Sequence, residues 1–248
     1  AVVDREGRLV ASAGDPMLVT FWRSAAKPFQ AMPLVAHGAA DHFGFGSPEL
    51  ALACASHSSE PVHRSVAGRM LARIEVGEEA LACGPHPPLS PLVANEVVRQ
   101  GVLMTPVWSN CSGKHAGMLA LARFHGWPLT GYETRGHPVQ EAVLHEIERW
   151  TGVPRDRMVL GVDGCTVVSF GLPLLAMALA YARFGVSDEA PARRLRRAMT
   201  EEPLLTAGQG RLETDLALVT GGRAIAKIGA DGVYCATLPE AGLGVALK

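Results

Sequence analysis

Ser24 and Lys27 stand three residues apart in Arg23-Ser-Ala-Ala-Lys-Pro28, directly after a β-rich run and at the expected start of a helix. Positions i and i+3 share a helix face, so the two side chains can meet. A hydroxyl attacks only when a base takes its proton. A lysine that is desolvated, or set beside a second cation, loses enough basicity to be that base. The Ser24 N–H at the helix start also suits a developing oxyanion. Alone, Ser-x-x-Lys is a weak signal, because such tetrapeptides arise often by chance.

Lys227-Ile228-Gly229 gives it company. Enzymes that use Ser-x-x-Lys for acyl transfer carry a Lys-Thr-Gly strand late in the chain. Lys227 would face the pocket as a cation, and Gly229 would let a substrate approach the strand edge. A second serine that relays protons between two lysines completes this chemistry, and Ser56 in Ala55-Ser-His-Ser58 is the candidate, with Ser109 as its rival. Ser56 also reads as a helix cap, and His57 as a buried, satisfied histidine.

A further group lies in Ser109-Asn-Cys-Ser-Gly-Lys-His-Ala-Gly117 and Val162-Asp-Gly-Cys165. Two thiols, a histidine, a carboxylate and a lysine sit there in two Gly-containing turns. Zinc takes such donors, yet no Cys-x-x-Cys or His-x-x-x-His spacing occurs, so on the residues alone buried free thiols are the commoner reading. Cys83-Gly-Pro-His86 is a loop that borders a pocket or simply turns the chain.

The elements that must carry these residues read as strands at both ends and helices between. Ala1–Asp4, Arg8–Ala13, Met17–Trp22, Arg223–Ile228, Gly232–Thr237 and Leu243–Leu247 are β-rich runs separated by turn residues. Ala25–Val35, Val62–Ile74, His115–Phe124, Val139–Trp150 and Phe170–Phe184 place apolar residues at helical spacing. This predicts an α+β chain: one largely antiparallel sheet from about residues 1–22 and 215–248, with a helical part over about 24–200 forming a single domain.

Bulk properties exclude other classes. The 248 residues are 48% hydrophobic and 19% charged, with net charge −1, which leaves no footprint for nucleic acid or an anionic membrane. The arginines between 193 and 197 read as a solvated surface. Five cysteines, an odd count, argue against a disulfide framework and for a reducing, cytoplasmic setting. The longest apolar run, Phe170–Ala182, is interrupted by Pro173 and is too short to span a membrane. The chain begins without Met and stops inside an expected strand, so trimmed ends are to be expected.

Together these segments resemble the rhizobial-type L-asparaginase family, also called asparaginase II. The resemblance rests on Arg23–Gln30, Ser56–Ser58, Cys83–His86, Ser109–Gly117, Gly161–Cys165 and Lys227–Tyr234, in the family's order over nearly the whole chain. It implies a fold like that of serine β-lactamases and glutaminases, and hydrolysis of L-asparagine to L-aspartate and ammonia. It implies Ser24 as nucleophile with Lys27 as its base, and Ser56 with Lys227 as a second serine–lysine pair. It implies one zinc ion per subunit on Cys111, Lys114 and Cys165. Asp163 and His115 would lie beside the metal or at the substrate, with Arg23, His57 and Gly229 also at the substrate. It implies a homodimer. Glutaminase or another acyl-transfer hydrolase on the same fold, and a silent zinc-binding scaffold, are the alternatives.

The chain departs from the family in two places. Thr166-Val167-Val168 follows Cys165 where the family has a small residue and then a proline, and Ile228 replaces the hydroxyl of Lys-Thr-Gly. Family members also extend further at both ends.

Overall fold

The computed structural model describes residues 1–248. Its strands are β1 (Val2–Asp4), β2 (Leu9–Ala11), β3 (Val19–Phe21), β4 (Val159–Val162), β5 (Val168–Pro173), β6 (Ile225–Ile228), β7 (Tyr234–Leu238) and β8 (Leu243–Leu247). The first helices are α1 (Lys27–Gln30), α2 (Met32–Ala36), α3 (Ala39–His42), α4 (Ser47–Ala53), α5 (Pro61–Arg73) and α6 (Pro91–Gln100). Then come α7 (Ser112–His125), α8 (Pro138–Thr151), α9 (Leu174–Val186), α10 (Ala190–Glu201), α11 (Pro203–Thr206) and α12 (Leu212–Thr220). Proline stands in the first turn of α4, α5, α6, α8 and α10, where its missing N–H costs nothing. Left-handed Gly126 and Gly152 end α7 and α8.

The strands from the two ends form one antiparallel sheet in the order β2-β1-β8-β7-β6, with Val2 opposite Val245 and Lys227 opposite Cys235. The expectation of a single sheet is corrected in one respect. β3 leaves that sheet and pairs with β5, which pairs with β4, so a second antiparallel sheet of three strands runs β3-β5-β4. Two of its strands come from the stretch read as helical. Phe170–Phe184 is the end of a buried strand continuing into α9, which starts after Pro173. Ala25–Val35 is likewise a 3-10 turn followed by two short helices rather than one helix.

α9 is the platform behind the terminal sheet. Its small residues bring helix and sheet close: a Cβ on Gly244 would collide with the Ala178 carbonyl, and one on Gly185 with the Thr237 hydroxyl. At its middle an aromatic group joins helices to site. Phe29 has ring centroids 4.8 Å from Trp22, 5.4 Å from Tyr181, 5.7 Å from Phe184 and 5.8 Å from Trp150. These rings belong to a continuous core of 59 buried residues.

Of the arginines read as a solvated surface, Arg194 and Arg197 pair with Asp41 and Glu201 at 2.7 and 2.6 Å. Arg196 instead donates to the Ser187 carbonyl at 2.8 Å and to that of Phe184, closing the end of α9. No helix is long and apolar enough to cross a membrane.

Candidate active site

The turn from β3 to α1 is fixed before it reaches Ser24. Trp22 donates its backbone N–H to Phe170 at 2.8 Å and its indole N–H to the Cys235 sulfur at 3.4 Å, and the Tyr181 hydroxyl holds the Ala25 carbonyl at 2.8 Å. Arg23 then takes a left-handed φ of 54°, costly for a side chain with a Cβ. Thr166 and Asp231 do the same, so three of the five non-glycine residues with positive φ line this cavity or adjoin a residue that does. Such backbone strain persists only where its surroundings hold it. For Arg23 the surroundings are a charge cluster: its guanidinium donates to Asp163 Oδ1 at 2.9 and 3.1 Å and pairs with Asp231.

Lys27 is fully buried. Its Nζ donates to the Ala55 carbonyl, to Ser56 Oγ at 3.1 Å and to the Asn110 carbonyl at 3.2 Å, so all three N–H bonds of an ammonium are used. No hydrogen bond joins Lys27 to Ser24, although the spacing brings both onto the same short turn. Lys227, also fully buried, donates to the same Ser56 Oγ at 2.8 Å and to the Ile228 carbonyl at 2.9 Å. One hydroxyl therefore lies between two amines. Ser109, the rival, lines the pocket but accepts only the Cys111 N–H, at 3.3 Å.

Burial disfavours the Lys227 charge, and the adjoining Lys27 ammonium adds repulsion; together they push its pKa down to about 7, against the pull of Glu213. Ser56 is delivered by the chain leaving α4. That helix docks closely on α7 because Gly113 has no side chain, where a Cβ would collide with the Leu52 carbonyl.

These groups face a cavity of about 430 Å³. Ser24, Ser56, Arg23, Asp163 and Gly229 line it, as do Cys111 and Cys165. The backbone N–H groups of Ser24 and Ala230 donate to no protein acceptor, and both residues lie on the cavity wall. Gly229 cannot be the second donor, because its N–H is spent on Val233 at 2.7 Å. Nor is its missing side chain chiefly room for a substrate: a Cβ there would sit 2.8 Å from the Trp22 carbonyl, so the glycine lets the β3–α1 turn close on β6.

His57 lies where its reading as a buried histidine puts it, and neither it nor His115 reaches the cavity surface. Both are fully buried behind the wall and absent from its lining. His57 stacks on His63 at 5.0 Å and bonds the Ser112 hydroxyl at 2.9 Å. His115 bonds Tyr132 Oη at 2.6 Å, and its Nε2 has no protein partner. Burial holds the pKa of each well below the ordinary imidazole value.

Cys111, Lys114 and Cys165 converge. Lys114 Nζ donates to Cys165 Sγ at 2.9 Å. Cys111 Sγ donates to Asn110 Oδ1 at 3.2 Å, and interaction with the neighbouring Cys165 thiol, against burial and helped by Lys27 and Lys114, holds the Cys111 pKa well below the ordinary thiol value. Burial opposes the Lys114 charge, but the two sulfurs outweigh it and raise its pKa. Cys165 sits in the reversal between β4 and β5, closed by Thr166 N–H to Asp163 at 2.9 Å and Asp163 N–H to Val167 at 2.9 Å. Thr166 takes φ 77° there, so the turn forms without the family's proline. No three His, Cys, Asp or Glu side chains stand together as a metal cluster. Any ion at this point would need the lysine amine as its third donor.

Two functional neighbours were not read from sequence. Arg211 lines the cavity, and Glu213, almost fully buried, accepts the Ile228 N–H at 3.3 Å beside Lys227. Their one sequence signal is the Gly208-Gln-Gly210 turn ahead of α12.

Among known families, the model described as L-asparaginase II matches residues 1–248. No curated protein matches the chain.

The burial of Lys227 has a thermodynamic consequence. Its pKa falls from 10.5 in the unfolded chain to about 7 in the fold. The unfolded state thus binds more protons between these values, and this group makes stability rise with pH across that window. Lys227→Met removes the desolvated amine. Its thermal midpoint is expected to exceed that of the wild type near pH 6, with the gap closing as pH approaches 9. A variant less stable at both pH values contradicts the assignment.

Proposed function

Because the chain belongs to the L-asparaginase II family, we propose that it hydrolyses the side-chain amide of L-asparagine to L-aspartate and ammonia through an acyl-enzyme on Ser24. The observation that carries this reading is the shared Ser56 hydroxyl, held by Lys27 and Lys227 on the wall of the cavity that Ser24 lines. The Ser–x–x–Lys turn after a strand, with the Lys-x-Gly strand beside it at the sheet edge, supports a serine β-lactamase- or glutaminase-like fold.

Neutral Lys227 is the sink for one proton. Lys27 passes a proton through Ser56 to Lys227 and takes the Ser24 proton as Oγ attacks the amide carbon. The tetrahedral oxyanion meets the free N–H groups of Ser24 and Ala230, two donors fixed before the reaction starts. The carbon–nitrogen bond breaks as the relay returns a proton to the leaving nitrogen, and ammonia departs. Water then adds to the ester, gives its proton to the same relay, and releases aspartate with Ser24 restored.

Cys111, Cys165 and Lys114 fit a zinc ion in chemistry: two thiols line the cavity, and the Lys114 amine is 2.9 Å from the Cys165 sulfur. They would hold it at the cavity wall, with Lys114 deprotonated. Zinc there would supply Lewis acidity and a fixed positive charge for orienting substrate. Zinc analysis of dialysed protein is expected to give about one ion per chain, and none when Cys111 and Cys165 are both alanine, as for a site with three protein donors. Equal zinc in both proteins removes the site.

A homodimer and a cytoplasmic setting belong to the same reading. The first is supported by family membership and the second by five free cysteines. Sedimentation at the mass of one chain would remove the dimer, and a native disulfide would speak against the compartment.

Ammonia release tests the reaction. Ser24→Ala is expected to lower it by at least about 10³-fold, with L-glutamine as the comparison amide. In the wild type, kcat/KM is expected to rise with pH through a midpoint near 7 and to level off above about 8 as Lys227 loses its proton. Near-normal turnover by the alanine variant sinks the scheme, and a profile flat from about pH 5.5 to about 9 removes Lys227 as the proton sink.

A further inference from the structure

The cavity contains a cation that the chemistry above does not use. Two arginines line it, and they differ in how far they are committed. Arg23 is tied to Asp163 and Asp231. Arg211 has only long contacts, Ser58 Oγ at 3.4 Å and Glu213 Oε1 at 3.7 Å, so most of its five N–H donors remain available. Its side chain is 19% exposed and lies on the cavity wall. There a guanidinium is partly desolvated and can bind a carboxylate strongly.

Its position is rigid. Arg211 immediately precedes α12 and follows a turn locked at three points. Thr214 Oγ1 donates to the Gly208 carbonyl at 2.7 Å, and Gln209 N–H donates to Glu60 at 2.8 Å. Gly208 packs directly on Ser58, where a Cβ would lie 2.5 Å from the hydroxyl. This ties the arginine to the chain segment that carries Ser56. The neighbouring strand offers no competing group, because residue 228 is isoleucine and has no hydroxyl to give a carboxylate.

The same cavity is lined by an unspent acceptor. Asp163 Oδ1 takes the Arg23 and Gly164 donors, while Oδ2 accepts nothing from the protein. One guanidinium with donors to spare and one unspent carboxylate oxygen complement the two charges of an α-amino acid. We propose that Arg211 binds the α-carboxylate of the amide substrate and makes the cavity selective for free α-amino acids over simple amides. This rests on the amidohydrolase reading above.

The test compares L-asparagine with 3-aminopropanamide, which keeps the amide and the amine but lacks the α-carboxylate. Arg211→Gln is expected to lower kcat/KM for asparagine about 10- to 100-fold, mainly through KM, and to change that for 3-aminopropanamide by less than about threefold. Arg211→Lys should fall between, since it keeps the charge without the fork. The lysine variant keeps a cation beside Glu213, so it gives the reading if the glutamine variant does not fold. Parallel loss on both amides, or no loss on either, overturns the carboxylate role while leaving the reaction intact. Wild-type protein that releases ammonia from neither amide overturns the amidohydrolase reading and this assignment with it.

Discussion

The structure is organised around two buried amines that share one hydroxyl. In a low-dielectric interior, two ammonium groups a single oxygen apart repel strongly, and burial penalises each. The fold answers by saturating Lys27 with the carbonyls of Ala55 and Asn110, and by leaving Lys227 with a pKa of about 7. The pair therefore holds a vacant proton site near neutrality, which is what a serine nucleophile needs.

Keeping that geometry takes elements far apart in sequence. Lys27 comes from the turn after β3, Ser56 from the chain leaving α4, Asn110 from the loop before α7, and Lys227 from β6. Each is brought close by small residues where backbones meet: Gly113 against Leu52, Gly229 against Trp22, Gly244 against Ala178. The Trp22, Phe29 and Tyr181 cluster prevents the β3–α1 turn from relaxing. Left-handed Arg23 and Asp231 are strained residues joined to one another by an ion pair, so the strain at the mouth of the cavity is held by charge.

Much of this was readable from sequence. The terminal strands alternate and end in Gly-rich turns, and the helix starts carry proline, so the α+β layout and most boundaries followed. The three-stranded second sheet did not. Val168–Pro173 is buried almost throughout and shows no alternation, and its apolar residues continue past Pro173 into α9, so Phe170–Phe184 reads as helix although that proline marks where the strand ends. Ser24, Lys27, Ser56 and Lys227, and likewise Cys111, Lys114 and Cys165, stood out because their residue types announce their chemistry, and the fold brings Lys27 and Lys227 onto Ser56 and Lys114 onto Cys165. The partners of Lys27 were not, since any residue can supply a carbonyl. His57 and His115 entered through the resemblance, and their full burial off the cavity surface is set by packing that their motifs do not spell out. Arg211 stayed hidden because one arginine before a helix looks like any surface charge.

In the proposed cycle Ser24, and not the hydroxyl held between the lysines, forms the bond to substrate. Rapid acid quench of the protein turning over L-asparagine, followed by peptide mass mapping, tests it directly. The account predicts a β-aspartyl ester on the peptide containing Ser24, and none on the peptide containing Ser56. An ester on Ser56, with Ser24 unmodified, would reverse the roles of the two serines and contradict the account.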